Sequence, residues 1–195
     1  MFIKFILNKP YKHIIRGVMI MLENVKVLVD SNTLQERIEE IAEHISNDYN
    51  GEDIVMVCVL KGAVYFAIDL SKKIKNSDVI MDFVKVSSYG VNQRESTGTI
   101  NFKLGISEDI ENKHVIVVED IIDSGTTLDY LCNYLKQKNP KSLKVCVLLD
   151  KKERRVKPVN VDYSGFEIDN QFVLGYGLDY DEKYRNLDYI GYVDV

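Results

Sequence analysis

The run Ile54–Leu60 (IVMVCVL) constrains the fold more than any other stretch of this chain: seven consecutive apolar residues, several β-branched, stopped abruptly by Lys61-Gly62. A strand with no polar alternation must be covered on both faces, as strands of parallel sheets are. Val79–Ser87, His114–Glu119 and Leu143–Leu149 read as further strands. Between them, Ala63, Phe66, Ala67, Leu70 and Ile74, and later Thr127–Lys138, carry helical periodicity. An earlier helix is expected from Leu34, Ile38, Ile41, Ala42 and Ile45, opened by the capping-box pattern Thr33-Leu-Gln-Glu36. Strand and helix alternate, which predicts a mainly parallel α/β sheet with helices on its flanks. In such sheets ligands bind beyond the carboxyl ends of the strands. That singles out Lys61-Gly62, Glu119–Thr127 and Asp150-Lys151.

With 195 residues, 46% hydrophobic, the chain can bury a proper core, and three prolines with no repeat or low-complexity tract leave no boundary after residue 21. We expect a single domain over 21–195. Residues 1–20 read as a leader or an over-long start, since Lys4, Lys9, Lys12 and Arg16 break up their apolar residues as neither a secretory signal nor a membrane span would. Cys58, Cys132 and Cys146 are odd in number and lie in apolar stretches, which fits reduced thiols in a cytoplasmic protein. The net charge of −5 lacks the basic footprint of a dedicated nucleic-acid binder. A phosphorylated ligand would need local positive charge.

Val115–Leu128 (VIVVEDIIDSGTTL) carries the densest chemistry. A buried strand delivers Glu119 and Asp120, then Asp123 beside Ser124-Gly125-Thr126-Thr127. Stability alone requires no such trio of mutually repelling acids, so ribose hydroxyls or Mg²⁺ are expected among them. The Ser-Gly-Thr-Thr loop opens a helix whose free N–H groups and positive dipole end favour a phosphate. An ordinary N-cap at Asp123 or Ser124 would account for one polar side chain and leave the other acids unexplained. No G-x-G-x-x-G follows a strand and no G-x-x-x-x-G-K-[ST] is present, and His13, His44 and His114 form no ligand pattern.

This segment resembles the phosphoribosyl-pyrophosphate-binding motif of the type I phosphoribosyltransferases. From Met21 to Val195 the chain is similar to the bacterial hypoxanthine-guanine members, in Leu60-Lys61-Gly62, Ser87-Ser88-Tyr89-Gly90, Leu148-Leu149-Asp150-Lys151, Gly165-Phe166-Glu167-Ile168 and Phe172–Asp179. Lys152 stands where proline is common in relatives, and Ser96-Thr97-Gly98 replaces a more usual Ser-Ser-Gly. The resemblance implies the type I fold with a small hood from the C-terminal and N-terminal segments. It also implies Mg²⁺-dependent transfer of a phosphoribosyl group to N9 of a 6-oxopurine, giving IMP or GMP and pyrophosphate.

By resemblance, Glu119 and Asp120 hold the ribose and, with Asp179, the metal, while Asp123, Ser124, Gly125, Thr126 and Thr127 bind the 5-phosphate. Asp123 is placed near purine N7 as a general acid–base, or else only orients. Lys61, Gly62, Ser88, Tyr89 and Arg185 serve the pyrophosphate, with a cis Leu60–Lys61 peptide and Ser88-Tyr89 in a lid. Lys151 donates to the 6-oxo group, Phe172 stacks on the ring, and main-chain groups at Val173 and Asp179 read the other edge. Without the resemblance, Phe172 reads as core and Arg185 equally as a surface arginine. Self-association as a homodimer or homotetramer is implied as well. Other readings are an RNA-binding nucleotide sensor on the same fold, and a xanthine- or guanine-preferring enzyme.

Overall fold

A computed structural model describes residues 25–88 and 100–193. Tyr89 and the rest of the 89–99 stretch lie outside the described residues, as does the 1–20 segment. The expected sheet is present. Strands β2 (Ile54–Val59), β3 (Val79–Ser88), β4 (Ile100–Leu104), β5 (His114–Ile122), β6 (Ser142–Asp150) and β7 (Tyr163–Glu167) lie in the order β4-β3-β2-β5-β6-β7. All neighbours are parallel except β4, which runs antiparallel along the edge beside β3.

The unbroken run that opened the argument has the burial it demands: every residue of β2 is buried, on alternating faces. Ile54, Met56 and Cys58 point to the layer formed by α1 (Ser31–Tyr49) and α2 (Val64–Lys73), packing with Leu34, Ile38, Phe66 and Leu70. Val55, Val57 and Val59 point the other way, toward α3 (Thr126–Lys136) through Leu128, Leu131 and Leu135. Parallel pairing with covered faces is why no polar alternation was needed. The three cysteines are free and buried, and burial pushes the Cys58 thiol up to about 12 and that of Cys132 to about 11.

Several boundaries differ from the sequence reading. The cap of α1 is Asp30, whose Oδ1 accepts from the N–H groups of Asn32 and Thr33 at 3.0 Å each; the Thr33 hydroxyl donates to Asp30 Oδ2. The Thr33–Glu36 pattern therefore lies inside the first turn. The strand expected over His114–Glu119 continues to Ile122, so Asp120 belongs to β5 as well. Strand β4 was not foreseen, and neither was the extent of the second sheet, β1 (Lys26–Val29), β9 (Ile190–Val193) and β8 (Phe172–Leu174) in the order β1-β9-β8. That antiparallel sheet joins the two ends of the described chain into the expected hood.

Beyond β4, the chain is pinned back by Asp82 of β3. This buried carboxylate accepts from the N–H groups of Phe83 (2.7 Å), Ser107 (2.7 Å) and Glu108 (2.8 Å) and from the Ser107 hydroxyl (3.1 Å). Burial alone would raise its pKa, but the hydrogen bonds outweigh it and the carboxyl lies below its ordinary value. A depressed folded pKa contributes stability at neutral pH that is lost as pH falls through that value. Asp82→Asn is expected to destabilise the fold by about 1–3 kcal/mol at pH 7. In urea titrations the gap from the parent protein should narrow below about pH 4. A gap independent of pH would show that the charge is not what holds this segment.

Candidate active site

The carboxyl ends of β2, β3 and β5 converge on a cleft of about 290 Å³, lined by Val59 and Leu60, Val86 and the whole stretch Glu119–Gly125 with Thr127 and Leu128. Size and position suit a small-molecule site at the end of an α/β sheet. At its floor Glu119 and Asp120 are adjacent carboxyls, the first buried and the second half-buried. Burial raises both, and the neighbouring Asp120 charge raises Glu119 further. Asp120 Oδ1 also accepts from the Ile121 N–H at 2.7 Å.

The loop beyond has the character of an anion cup. Gly125, at φ +80°, is the N-cap of α3, and no side chain caps the helix. The Ser124 hydroxyl is turned toward Thr126, 3.1 Å from its Oγ1 and 3.3 Å from its N–H. Gly125 itself offers no side-chain cap, and a helix start of this kind favours an anion.

Residues that the sequence reading overlooked hold this loop from behind. Val156 and Lys157 both donate N–H bonds of 2.9 Å to the Ser124 carbonyl. The Arg155 guanidinium pairs with Asp150 and reaches the Asp123 carbonyl at 3.3 Å. Arg154 Nε lies 3.2 Å from Asp123 Oδ1, at ion-pair distance without hydrogen-bond alignment. A Cβ on Gly125 would lie 2.7 Å from the Lys157 carbonyl, so a glycine is needed both for the turn and for this approach. The available signal was the Glu153-Arg154-Arg155 run just past Asp150-Lys151, a charged cluster next to a strand end already under scrutiny.

On one side of the cup stand Lys61 and Arg185. The Leu60–Lys61 peptide is cis, as the resemblance implied. Gly62 packs so tightly on β5 that a Cβ there would lie 1.5 Å from Asp120 Oδ2, and Gly177 approaches so closely that its Cβ would lie 2.0 Å from the Gly62 carbonyl. Arg185 is no loose surface arginine. Its Nη1 donates to the Gly177 carbonyl at 2.7 Å, its Nη2 pairs with Asp179 Oδ1 at 2.8 Å, and its Nε is buried without a partner among the described residues. Glu182 accepts from both Lys61 and Arg185, and these bonds hold its carboxyl below the ordinary value, Lys61 contributing most.

Asp179 is engaged within the chain itself. The resemblance implied it as a second metal-site acid; here its carboxylate pairs with Arg185 and accepts from the Glu182 N–H at 2.8 Å. Among the described residues no three His, Cys, Asp or Glu side chains come together to hold a metal. The Glu119–Asp120 pair fits a Mg²⁺ ion only if substrate oxygens complete the shell, an arrangement common for that ion.

On the other side of the cup is Lys151. It is buried, its N–H donates to the Ile122 carbonyl at 3.0 Å, and its ammonium donates to the Gln171 carbonyl at 2.7 Å. Burial lowers its pKa, with the Asp123 charge opposing that shift. Phe172 is 40% exposed and meets Tyr180 edge-on at 5.6 Å, so the core reading fails for this ring. Val173 is buried in β8, the outer strand of the hood sheet. Ser88 ends β3, and its proposed neighbour in the lid, Tyr89, lies outside the described residues.

Residues 24–181 match the phosphoribosyl transferase domain. The hypoxanthine-guanine phosphoribosyltransferase of Mycobacterium tuberculosis is 44% identical over 174 residues, covering 86% of this chain and 85% of the relative. A hypoxanthine-guanine phosphoribosyltransferase from Bacillus anthracis, solved by crystallography, is 48% identical, with a TM-score of 0.82 over 87% of this chain and 98% of that one. A hypoxanthine phosphoribosyltransferase from Staphylococcus aureus is 39% identical, with a TM-score of 0.84 over 90% and 95%. The fold is therefore the type I fold anticipated from the strand, acid pair and loop, and the chain belongs to the phosphoribosyltransferase family.

Proposed function

We propose that this protein is a purine-salvage enzyme that moves the phosphoribosyl group of phosphoribosyl pyrophosphate onto N9 of hypoxanthine or guanine, forming IMP or GMP and pyrophosphate. The observation that carries the reading is the start of α3, without a side-chain cap on Gly125, directly after the Glu119–Asp120 pair, with Arg185 near enough to act on Asp120 and Lys151 near enough to feel Asp123. The loop from Asp123 to Thr127 holds the 5-phosphate. Glu119 and Asp120 hold the ribose hydroxyls and, together with substrate oxygens, a Mg²⁺ ion. When bound, that ion would offset charge on the diphosphate.

Breaking the bond at ribose C1 leaves negative charge on the diphosphate and positive charge on the sugar. Lys61, Gly62 and Arg185 face the first, and the carboxylates below the ring face the second. Asp123 stands between ribose and base, where it accepts or returns the N7 proton. The Lys151 ammonium donates to the purine 6-oxo group. Adenine offers an amine there, so donor would face donor and the buried ammonium would lose its partner. Phe172 supplies an exposed face for the ring, and main-chain groups at Val173 and Asp179 read its far edge. Assembly as a homodimer or homotetramer, and a cytoplasmic setting, complete the proposal.

The test is nucleotide formation from phosphoribosyl pyrophosphate, Mg²⁺ and each base in turn. Lys151→Ala is expected to lower kcat/KM for hypoxanthine about 10- to 100-fold by removing a charged hydrogen bond, while the KM for phosphoribosyl pyrophosphate stays nearly constant. Equal losses toward both substrates would remove Lys151 from base recognition. Absence of turnover together with tight RNA binding would replace the enzyme by a nucleotide sensor.

A further inference from the structure

The two cations assigned to pyrophosphate already share an anion. Glu182 Oε2 lies 2.8 Å from Lys61 Nζ and 3.2 Å from Arg185 Nη2, so one oxygen bridges an ammonium and a guanidinium that arrive from opposite parts of the fold. Lys61 comes from the loop behind β2, and Arg185 from the hood. Convergence of two such donors on a single oxygen is the geometry a phosphoryl oxygen would need. Here a carboxylate of the protein occupies it.

The backbone presents Glu182 deliberately to that point. Asp181 and Glu182 have φ of +53° and +60°, in a turn closed by the Tyr180–Lys183 bridge, and the Glu182 N–H is anchored on Asp179. Its side chain, by contrast, is 66% exposed and nothing packs over it. Ion pairs of this exposure are weak individually and readily exchanged for a more highly charged partner. Rotation about the side-chain bonds alone would release the carboxylate to solvent and leave Lys61 and Arg185 facing an incoming diphosphate.

We propose that Glu182 is an internal, displaceable substitute for pyrophosphate, which keeps Lys61 and Arg185 oriented in the empty site and competes with the diphosphate for them. This rests on the reading of Lys61 and Arg185 as pyrophosphate ligands. Its consequence is that Glu182 sets the affinity of that subsite: it weakens capture of phosphoribosyl pyrophosphate and hastens departure of the product.

The test uses the full chain with Mg²⁺ and inorganic pyrophosphate as the probe, followed by titration calorimetry, alongside steady-state kinetics. Glu182→Gln keeps the shape and removes the charge. It is expected to bind pyrophosphate about two- to tenfold more tightly and to lower the KM for phosphoribosyl pyrophosphate to match, with the KM for hypoxanthine unchanged. Asp181→Asn removes the same charge one residue away, where the side chain is 80% exposed and faces Lys183 at 3.6 Å, and should shift pyrophosphate binding far less. Equal shifts in the two variants would reduce the effect to net charge and overturn the proposal. Unchanged or weaker binding in Glu182→Gln would overturn it too, making Glu182 a neutral surface group or a strut. Arg185→Gln separates the layers of the argument. If that variant binds pyrophosphate normally, the subsite reading itself falls; if it binds weakly while Glu182→Gln is neutral, only the competition falls.

Discussion

Gly62→Ala is expected to lower kcat/KM for phosphoribosyl pyrophosphate by about 10²-fold or more, because there is no room for one methyl group between the Lys61-Gly62 loop, the proposed pyrophosphate subsite, and β5. The added Cβ would sit 1.5 Å from Asp120 Oδ2 and 2.6 Å from its Cγ. Either the Asp120 carboxylate leaves its place, or the loop carrying Lys61 lifts away. Asp120 is short, half-buried and tied to the Ile121 N–H, so it has little freedom to give. Lifting the loop in turn presses the Gly62 carbonyl into Gly177, which has no space either. Overpacking of this kind costs about 1–3 kcal/mol of stability, so the variant should fold with a lowered Tm. Thermal unfolding and initial-rate measurements on the same preparation check both halves. Full activity would mean that Asp120 can move without consequence and has no part in holding the ribose.

Asp123→Asn should lower kcat about 10²–10⁴-fold while the KM for phosphoribosyl pyrophosphate stays within a few-fold. The substitution keeps size and hydrogen-bonding reach but removes the ability to take up a proton. The backbone of the phosphate loop should be undisturbed, because it is held through the Asp123 and Ser124 carbonyls by Arg155, Val156 and Lys157. Pre-steady-state measurements on hypoxanthine and guanine separate chemistry from product release. A loss smaller than about tenfold would leave Asp123 as an orienting group only, the alternative that its sequence setting also allows.

What the sequence made legible follows from how local each signal is. Strand β2 was readable because burial on both faces leaves a continuous apolar run, and the acid pair with its loop was readable because strand, carboxylates and glycine turn are contiguous. Asp30 was missed as a cap because Thr33-Leu-Gln-Glu36 imitates a capping box one turn later, and only the backbone decides between them. Strand β4 has a single neighbour and an exposed Leu104, so it lacks the apolar continuity of the interior strands. The roles of Arg155, Gly177 and Glu182 depend on partners distant in the sequence: Asp123 for the first, Gly62 for the second, Lys61 for the third. Asp179 carried a motif match, yet the arginine six residues later claims its carboxylate. Spacing alone cannot tell whether an acid faces a metal or a cation of its own chain.

The contact between Gly62 and Gly177 also bears on how such a protein can be remodelled. The hood carries Phe172 and Val173, proposed above to read the base, so exchanging it for the hood of a relative is the obvious route to altered base preference. Yet the hood rests on the sheet through a seam with no side chain on either side, the Gly177 Cα against the Gly62 carbonyl. Such a joint has no compressible element and transmits an error of a few tenths of an ångström directly to Asp120. The two surfaces must therefore be inherited as a matched pair, and a transplanted hood brings its own version of residues 60–62 or fails to seat.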